Sequence, residues 1–185
     1  MELKHGYYHL IAILTVSIWG LTFIATKVLI GYGLTPQEIF FYRFLIAYAG
    51  IWVISPKRLF AGNWKDELWL MAGGLFGGSL YFFTENTALG ITQASNVAFI
   101  ICTAPLLTTI LSLLFYKSEK ATKGLIYGSI LALIGVGLVV FNGSFVLKLS
   151  PVGDLLTLLA ALSWAFYSLV IKKMTGRYPP PAPFS

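Results

Sequence analysis

The feature that most constrains this chain is the recurrence of apolar stretches about 20 residues long, the length a helix needs to cross the hydrocarbon core of a bilayer. Six can be placed, at roughly 8–30, 36–55, 68–90, 93–116, 122–141 and 153–171. None alternates between apolar and polar residues as barrel strands do, and in lipid a helix satisfies its own backbone, so these runs predict an all-α integral membrane protein of about six transmembrane helices. Composition agrees. The sequence is 57% hydrophobic and 11% charged, against about 25% charged in soluble domains. The first run exceeds the 7–15 apolar residues of a secretory signal and reads as a retained helix. The connections GYGLT (31–35) and IT (91–92) are so short that the spans they join must be antiparallel hairpins.

A net charge of +6 does not point to nucleic acid, because the basic residues form short clusters between spans, where they set topology. With a cytoplasmic N-terminus, ten fall inside: Lys4, Lys57, Arg58, Lys65, Lys117, Lys120, Lys123, Lys172, Lys173 and Arg177. Lys148 and Lys27 fall outside, and Arg43 lies within the second span. The expected placement is a multi-pass protein of the cell (inner or plasma) membrane, N-terminus in, with the lipid bilayer as partner. The single cysteine, Cys102, excludes a disulfide framework, and no Cys/His spacing for a metal is found. No Ser/His/Asp grouping at membrane depth, HExxH motif, phosphate loop or paired carboxylate appears, so no catalytic residue, metal or cofactor is expected. Asp66 and Glu67 read as a cytoplasmic pair near the start of the third helix, with Asp66–Glu67 capping it.

Small residues predict close helix contacts in two spans. Gly73 and Gly77, then Gly74 and Gly78, are four apart in the third; Gly124, Gly128 and Ala132 are four apart in the fifth. In lipid, close backbone approach replaces the hydrophobic driving force. General bundle packing and a homodimer face both fit.

Shifting the sequence by 145 aligns Leu10 with Leu155, Leu14 with Leu159, Trp19 with Trp164, Lys27 with Lys172, Gly31 with Gly176 and Pro36 with Pro181. Five spans precede the second copy, an odd number, so the second copy runs inverted, as in secondary transporters that rock two halves about a midplane site. The expected domains are 8–145, a five-helix repeat, and 146–185, the opening helix of the second with a Pro-rich tail. On this reading the second copy breaks off about 40 residues in, at "GRYPPPAPFS", whose prolines cannot continue a helix. A missing C-terminal half is therefore a further expected partner. A shortened chain, an early stop or frameshift, and an incomplete gene model fit equally.

These residues carry a family likeness. "LTVSIWGLTFIATK" followed by "LTPQEIFFYRF", then "ENTALGITQASNVAFIICTAPLLTTILSLLFYKSEK" and "GLIYGSILALIGVGLVVFNG", resembles the first half of the drug/metabolite transporter superfamily in its EamA branch. "GDLLTLLAALSWAFYSLVIKK" is similar to the opening helix of that family's second repeat. The resemblance implies ten helices in two inverted five-helix repeats, both termini cytoplasmic, and a central cavity for a small solute. The expected function is alternating-access permeation of small metabolites, amino-acid-like solutes or drugs, with no ATP site. A non-transporting membrane fragment or an assembly or regulatory subunit is the alternative.

Charges within spans commonly face the bundle interior. Counting about 1.5 Å per residue, Lys27 lies about 6 Å from the outer surface, Arg43 about 10 Å and Glu85 about 8 Å, in one layer. Asn86 and Asn96 join it. Glu85, the only acid deep in a span and so the only candidate for proton coupling, is expected to neutralise Arg43 or Lys27. Such a pair fits helix registration, solute contact or gating; Lys27 could also snorkel. Thr15, Trp19, Thr22 and Thr26 share one helix face, suited to lining a solute path opposite Tyr81, or to packing with the hydroxyls bonded to their own backbone. Pro105 should kink the fourth span, as gate or as packing. Trp64 and Trp69 fit an interfacial belt. Glu119 reads as a solvated charge at the cytoplasmic edge, and His5 and His9 lie too near the start for a proton relay.

Overall fold

The computed structural model describes residues 2–54, 63–116, 122–141 and 150–177. Lys57, Arg58, Lys117, Glu119, Lys120, Lys148 and the prolines after Tyr178 lie outside the described residues.

The six expected spans appear as six helical rods. Rod one is α1 (Glu2–Gly31) and rod two α2 (Pro36–Ile54). Rod three joins α3 (Trp64–Gly74), a π-helical segment (Leu75–Leu80) and α4 (Tyr81–Ile91). Rod four is α5 (Ala94–Ile101) followed by α6 (Ala104–Phe115), rod five α7 (Lys123–Phe141) and rod six α8 (Pro151–Arg177). Among the described residues, Gly6–Gly31, Ala94–Phe115 and Pro151–Arg177 are each long and apolar enough to cross a membrane, with mean hydropathies of 1.9, 2.3 and 1.8. Large aliphatic and aromatic side chains along α1 and α2, such as Ile13, Ile18, Ile46 and Val53, are exposed, as expected where lipid is the solvent.

Local sequence explains the rod ends. The hairpin between α1 and α2 turns on Gly33, at φ +96, a region open to glycine at no steric cost. Thr35 opens α2 with a reciprocal cap: Glu38 Oε2 accepts from Thr35 N and Oγ1 at 2.8 Å, and Thr35 Oγ1 accepts from Glu38 N at 3.3 Å. Pro36 follows at the first helical position, where no N–H is needed. Asn63 caps α3 by accepting from Lys65 N at 3.1 Å. Asp66 and Glu67 lie in the first turn, at the positive end of the helix dipole as expected, while the N-cap hydrogen bond itself comes from Asn63.

Rod six is the hub. Its small residues Gly153, Thr157, Ala160, Ala161 and Ala165 are buried, and it packs along α3, the π segment, α4, α5 and α6. Both of its ends are pinned against rod three, so the two run antiparallel. At one end Ser150 Oγ donates to Ile91 O at 3.4 Å. At the other, Arg177 donates to Asp66 in an ion pair. Asp66 is only 4% exposed. Lys65, Lys172, Lys173 and Arg177 gather at this second end, hereafter the basic end.

The two glycine stripes part ways. A Cβ on Gly77 would lie 2.4 Å from the Tyr167 ring, one on Gly78 3.3 Å from Phe44, and one on Gly73 3.5 Å from Val170. For Gly74, Gly124 and Gly128 nothing lies within 4 Å. The close approach expected of the fifth span is therefore not made within the described chain.

Candidate functional site

The π-helical segment places the site. Its widened turn spoils the regular i to i+4 ladder, and the Phe76 carbonyl is met from outside by Ser163 Oγ of α8, at 2.8 Å. Thr84 Oγ1 donates back to Leu80 O and Tyr81 O, at 2.8 and 3.0 Å. Downstream, α4 turns Tyr81, Thr84, Glu85, Asn86 and Ala88 into the bundle, all buried.

Glu85 is 3% exposed, and its Oε1 accepts from the Tyr81 hydroxyl one turn earlier at 2.9 Å. The Tyr81 ring lies 5.1 Å from Trp164 of α8, whose ring lies 5.0 Å from Trp19 of α1 and 5.0 Å from Tyr167. On the other flank Phe82 meets Tyr81 edge-on at 4.9 Å, and the Arg43 guanidinium lies 4.9 Å from the Phe82 ring centroid. No direct ion pair joins Arg43 to Glu85 among the described residues. A carboxylate, a guanidinium and several aromatic faces thus converge from α1, α2, α4 and α8.

The expected Glu85–Lys27 pair is replaced by a different contact. Lys27 Nζ donates to Leu89 O at 2.5 Å and Thr92 O at 2.7 Å, so its ammonium caps the carbonyl-rich C-terminus of α4. A cation there meets both the orphan acceptors and the negative end of the helix dipole. Lys27 therefore neither pairs with Glu85 nor snorkels.

Asn86 is fully buried; its Nδ2 donates to Pro36 O at 3.5 Å, and its Oδ1 has no partner among the described residues. Asn96 on α5 and Thr26 on α1 are buried too. In the threonine stripe, Thr15 Oγ1 donates to Ile11 O at 2.8 Å and Thr22 Oγ1 to Trp19 O at 2.6 Å. These hydroxyls are satisfied by their own helix.

A cavity of about 600 Å³ lies between α1, α5, α6 and α8, lined by Trp19, Phe23, Ser95, Cys102, Pro105 and Trp164 among others. Of the threonine stripe and its tryptophan, only Trp19 reaches it. A second cavity of about 440 Å³, between rod two, rod three and α8, is lined by Phe44, Gly77, Phe82, Trp164 and Tyr167 among others. Trp164 lines both. Sequence reasoning did not select Trp164, although the 145-residue shift pairs it with Trp19 and so carried the signal. Rod four breaks at Cys102 and Thr103, and Pro105 sits in the first turn of α6, where its missing N–H leaves no bond unmade.

The architecture defines a helical membrane protein with an aromatic-walled polar cluster between its rods, a form suited to moving solutes. Comparison with known proteins makes this specific: the sequence profile of the EamA-like transporter family matches residues 6–141, and the chain belongs to that family. It is 31% identical over 169 residues to an uncharacterised transporter of Archaeoglobus fulgidus, covering 90% of this chain and 58% of that protein. It is 30% identical over 192 residues to a probable amino-acid metabolite efflux pump of Salmonella typhimurium, covering 100% of this chain and 59% of that one. A probable amino-acid metabolite efflux pump of Escherichia coli is 29% identical over 189 residues, again with 100% and 59% covered. The chain thus spans less than two thirds of the length of these relatives. No solved structure matches it. These relatives point to a transporter rather than an enzyme.

Proposed function

We propose that this chain forms part of a secondary transporter that moves a small metabolite, amino-acid-like solute or drug by alternating access across the cell membrane. Solute binds between two inverted repeats, the first at 8–145 and the second opening at 146, and the N-terminus faces the cytoplasm. The observation that carries the reading is the chain of contacts from Glu85 through Tyr81 to Trp164 and Trp19, the last two of which line the cavity of about 600 Å³. A carboxylate meets an amino group and aromatic faces meet apolar or cationic parts of a solute. Arg43 supplies the charge that would meet a solute carboxylate. The names of the Salmonella and Escherichia relatives supply the amino-acid-like class.

The repeat reading is supported by the contact between Trp19 and Trp164, which the 145-residue shift makes equivalent and which meet at 5.0 Å. Residues related by a pseudo-two-fold axis touch only near that axis, where such transporters bind solute. The basic end, with four cations against Lys27 toward the other, supports the cytoplasmic placement of the N-terminus.

The test is uptake of labelled amino acids into proteoliposomes holding the chain. Saturable uptake reduced at least about tenfold by Glu85→Ala, the scale of losing a charge-assisted contact, is expected. Arg43→Ala should do the same for solutes that carry a carboxylate. Normal transport by both variants would overturn the assignment of these residues to the path.

A further inference from the structure

A third cavity lies at the basic end and shares Trp69 and Val170 with the cavity of about 440 Å³. It is a groove of about 460 Å³ between α3, α6 and α8, lined by Trp69, Phe76, Phe115, Phe166, Leu169 and Lys173 among others. It shares no lining residue with the 600 Å³ cavity. Its walls are aromatic and aliphatic, with Phe76 and Phe166 stacked at 5.4 Å. By helical rise it runs about 10 Å along α8, from Lys173 back to Phe166.

Only the mouth is charged. The Lys173 ammonium lies 3.8 Å above the Trp69 ring, and the Lys172 ammonium 5.3 Å from the centroid of Tyr116, which closes the α6 side. The Trp69 face attracts the Lys173 ammonium without consuming its three N–H donors. The nearby carboxylates are Asp66, engaged by Arg177, and Glu67. An apolar slot opening under a cationic rim, with Trp64 and Trp69 nearby, has the amphipathic profile of one molecule class. Basic pockets between transmembrane helices take anionic lipid headgroups in this manner.

We infer that the groove between α3, α6 and α8 is a binding site for a glycerophospholipid with an anionic headgroup, drawn from the leaflet at the basic end. Its acyl chain lies along Phe76, Phe166 and Leu169, and its phosphate meets Lys173. Lipid held there contacts α8 directly, so it acts on the hub of the bundle.

The test is native mass spectrometry of the detergent-purified chain offered equal amounts of phosphatidylglycerol and phosphatidylcholine. One phosphatidylglycerol should be retained per chain, preferred about fivefold, the scale of one basic residue near an anionic surface. Lys173→Gln, at an exposed position that does not threaten folding, should bring the two lipids to parity. Lys123→Gln, at the start of α7 and outside the groove, should leave the preference unchanged. Ala72→Trp fills the slot without touching charge and should remove both adducts; should that variant unfold, Trp69→Leu, which removes the ring beneath Lys173, should lower the preference instead. Equal retention of both lipids by the unaltered chain, or a preference surviving Lys173→Gln, would overturn the inference.

Discussion

Rod three and rod five carry the same written signal, glycines four residues apart, and meet opposite fates. In rod three Gly73, Gly77 and Gly78, though not Gly74, are wedged against neighbours, with Val170 and Tyr167 of α8 on one side and Phe44 of α2 on the other. In α7 the corresponding positions face open space within the described chain. The difference lies in what surrounds the spacing. Rod three adds a π-helical turn whose carbonyl needs an external donor, and it is flanked by polar residues that lipid cannot satisfy, so a partner helix with Ser163 and ion-pairing Arg177 is selected. Beyond Lys123 and Ser129, rod five adds only aliphatic and aromatic residues, which lipid solvates about as well as protein does. A small-residue spacing permits close approach; polar groups needing partners decide where it happens.

The sharpest way to break this comparison is to put the same side chain on both stripes. Gly77→Val drives a Cβ into the Tyr167 ring and should destabilise the chain by about 3 kcal/mol or more. Gly128→Val should stay within about 0.5 kcal/mol. Thermal unfolding in detergent would separate them, and equal effects would end the contrast. The next largest effect is expected from Ser163→Ala, which leaves the Phe76 carbonyl unmet inside the bundle and should cost about 2 kcal/mol by the same measurement. If the cost is negligible, the π segment holds itself and α8 does not support it.

Lys27→Met sharpens the other end of rod three. It removes the ammonium from the Leu89 and Thr92 carbonyls and should cost about 1 kcal/mol. It should also speed amide exchange in the last turn of α4 while leaving Tyr81 and Glu85 unchanged. The smallest effect belongs to Thr15→Val, below about 0.5 kcal/mol, because Thr15 is exposed and its hydroxyl only returns to Ile11 O.

Much of the fold was legible because apolar length alone decides where rods lie in a membrane. The sequence reading places α2 at 36–55 where the helix is Pro36–Ile54, and the fifth span at 122–141 where α7 is Lys123–Phe141. The break expected at Pro105 falls one turn earlier, at Cys102 and Thr103. The site was legible only in part. Tyr81, Glu85 and Trp19 stand out by type and depth. Lys27 was weighed only as a partner for Glu85, in place of Arg43, or as a snorkelling cation, because a search for charge partners does not see the backbone carbonyls it meets. Asp66 and Arg177 lie 111 residues apart, and Asp66 was read only with its neighbour Glu67, as a pair at the start of the third helix. The π turn left no periodic signal, since glycine fits an α-turn and a π-turn alike.

The central claim is that the Glu85, Tyr81, Trp164 and Trp19 cluster borders a solute path, and the chain carries its own probe of it. Cys102 is the single cysteine in the sequence and lines the cavity that Trp19 and Trp164 share. The decisive measurement is the rate at which a charged, water-soluble thiol reagent modifies Cys102 in proteoliposomes across a range of amino-acid concentrations. The account predicts modification that amino acid slows saturably, with protection lost in Glu85→Gln. A thiol that never reacts, or reacts at one rate at every amino-acid concentration, would contradict it.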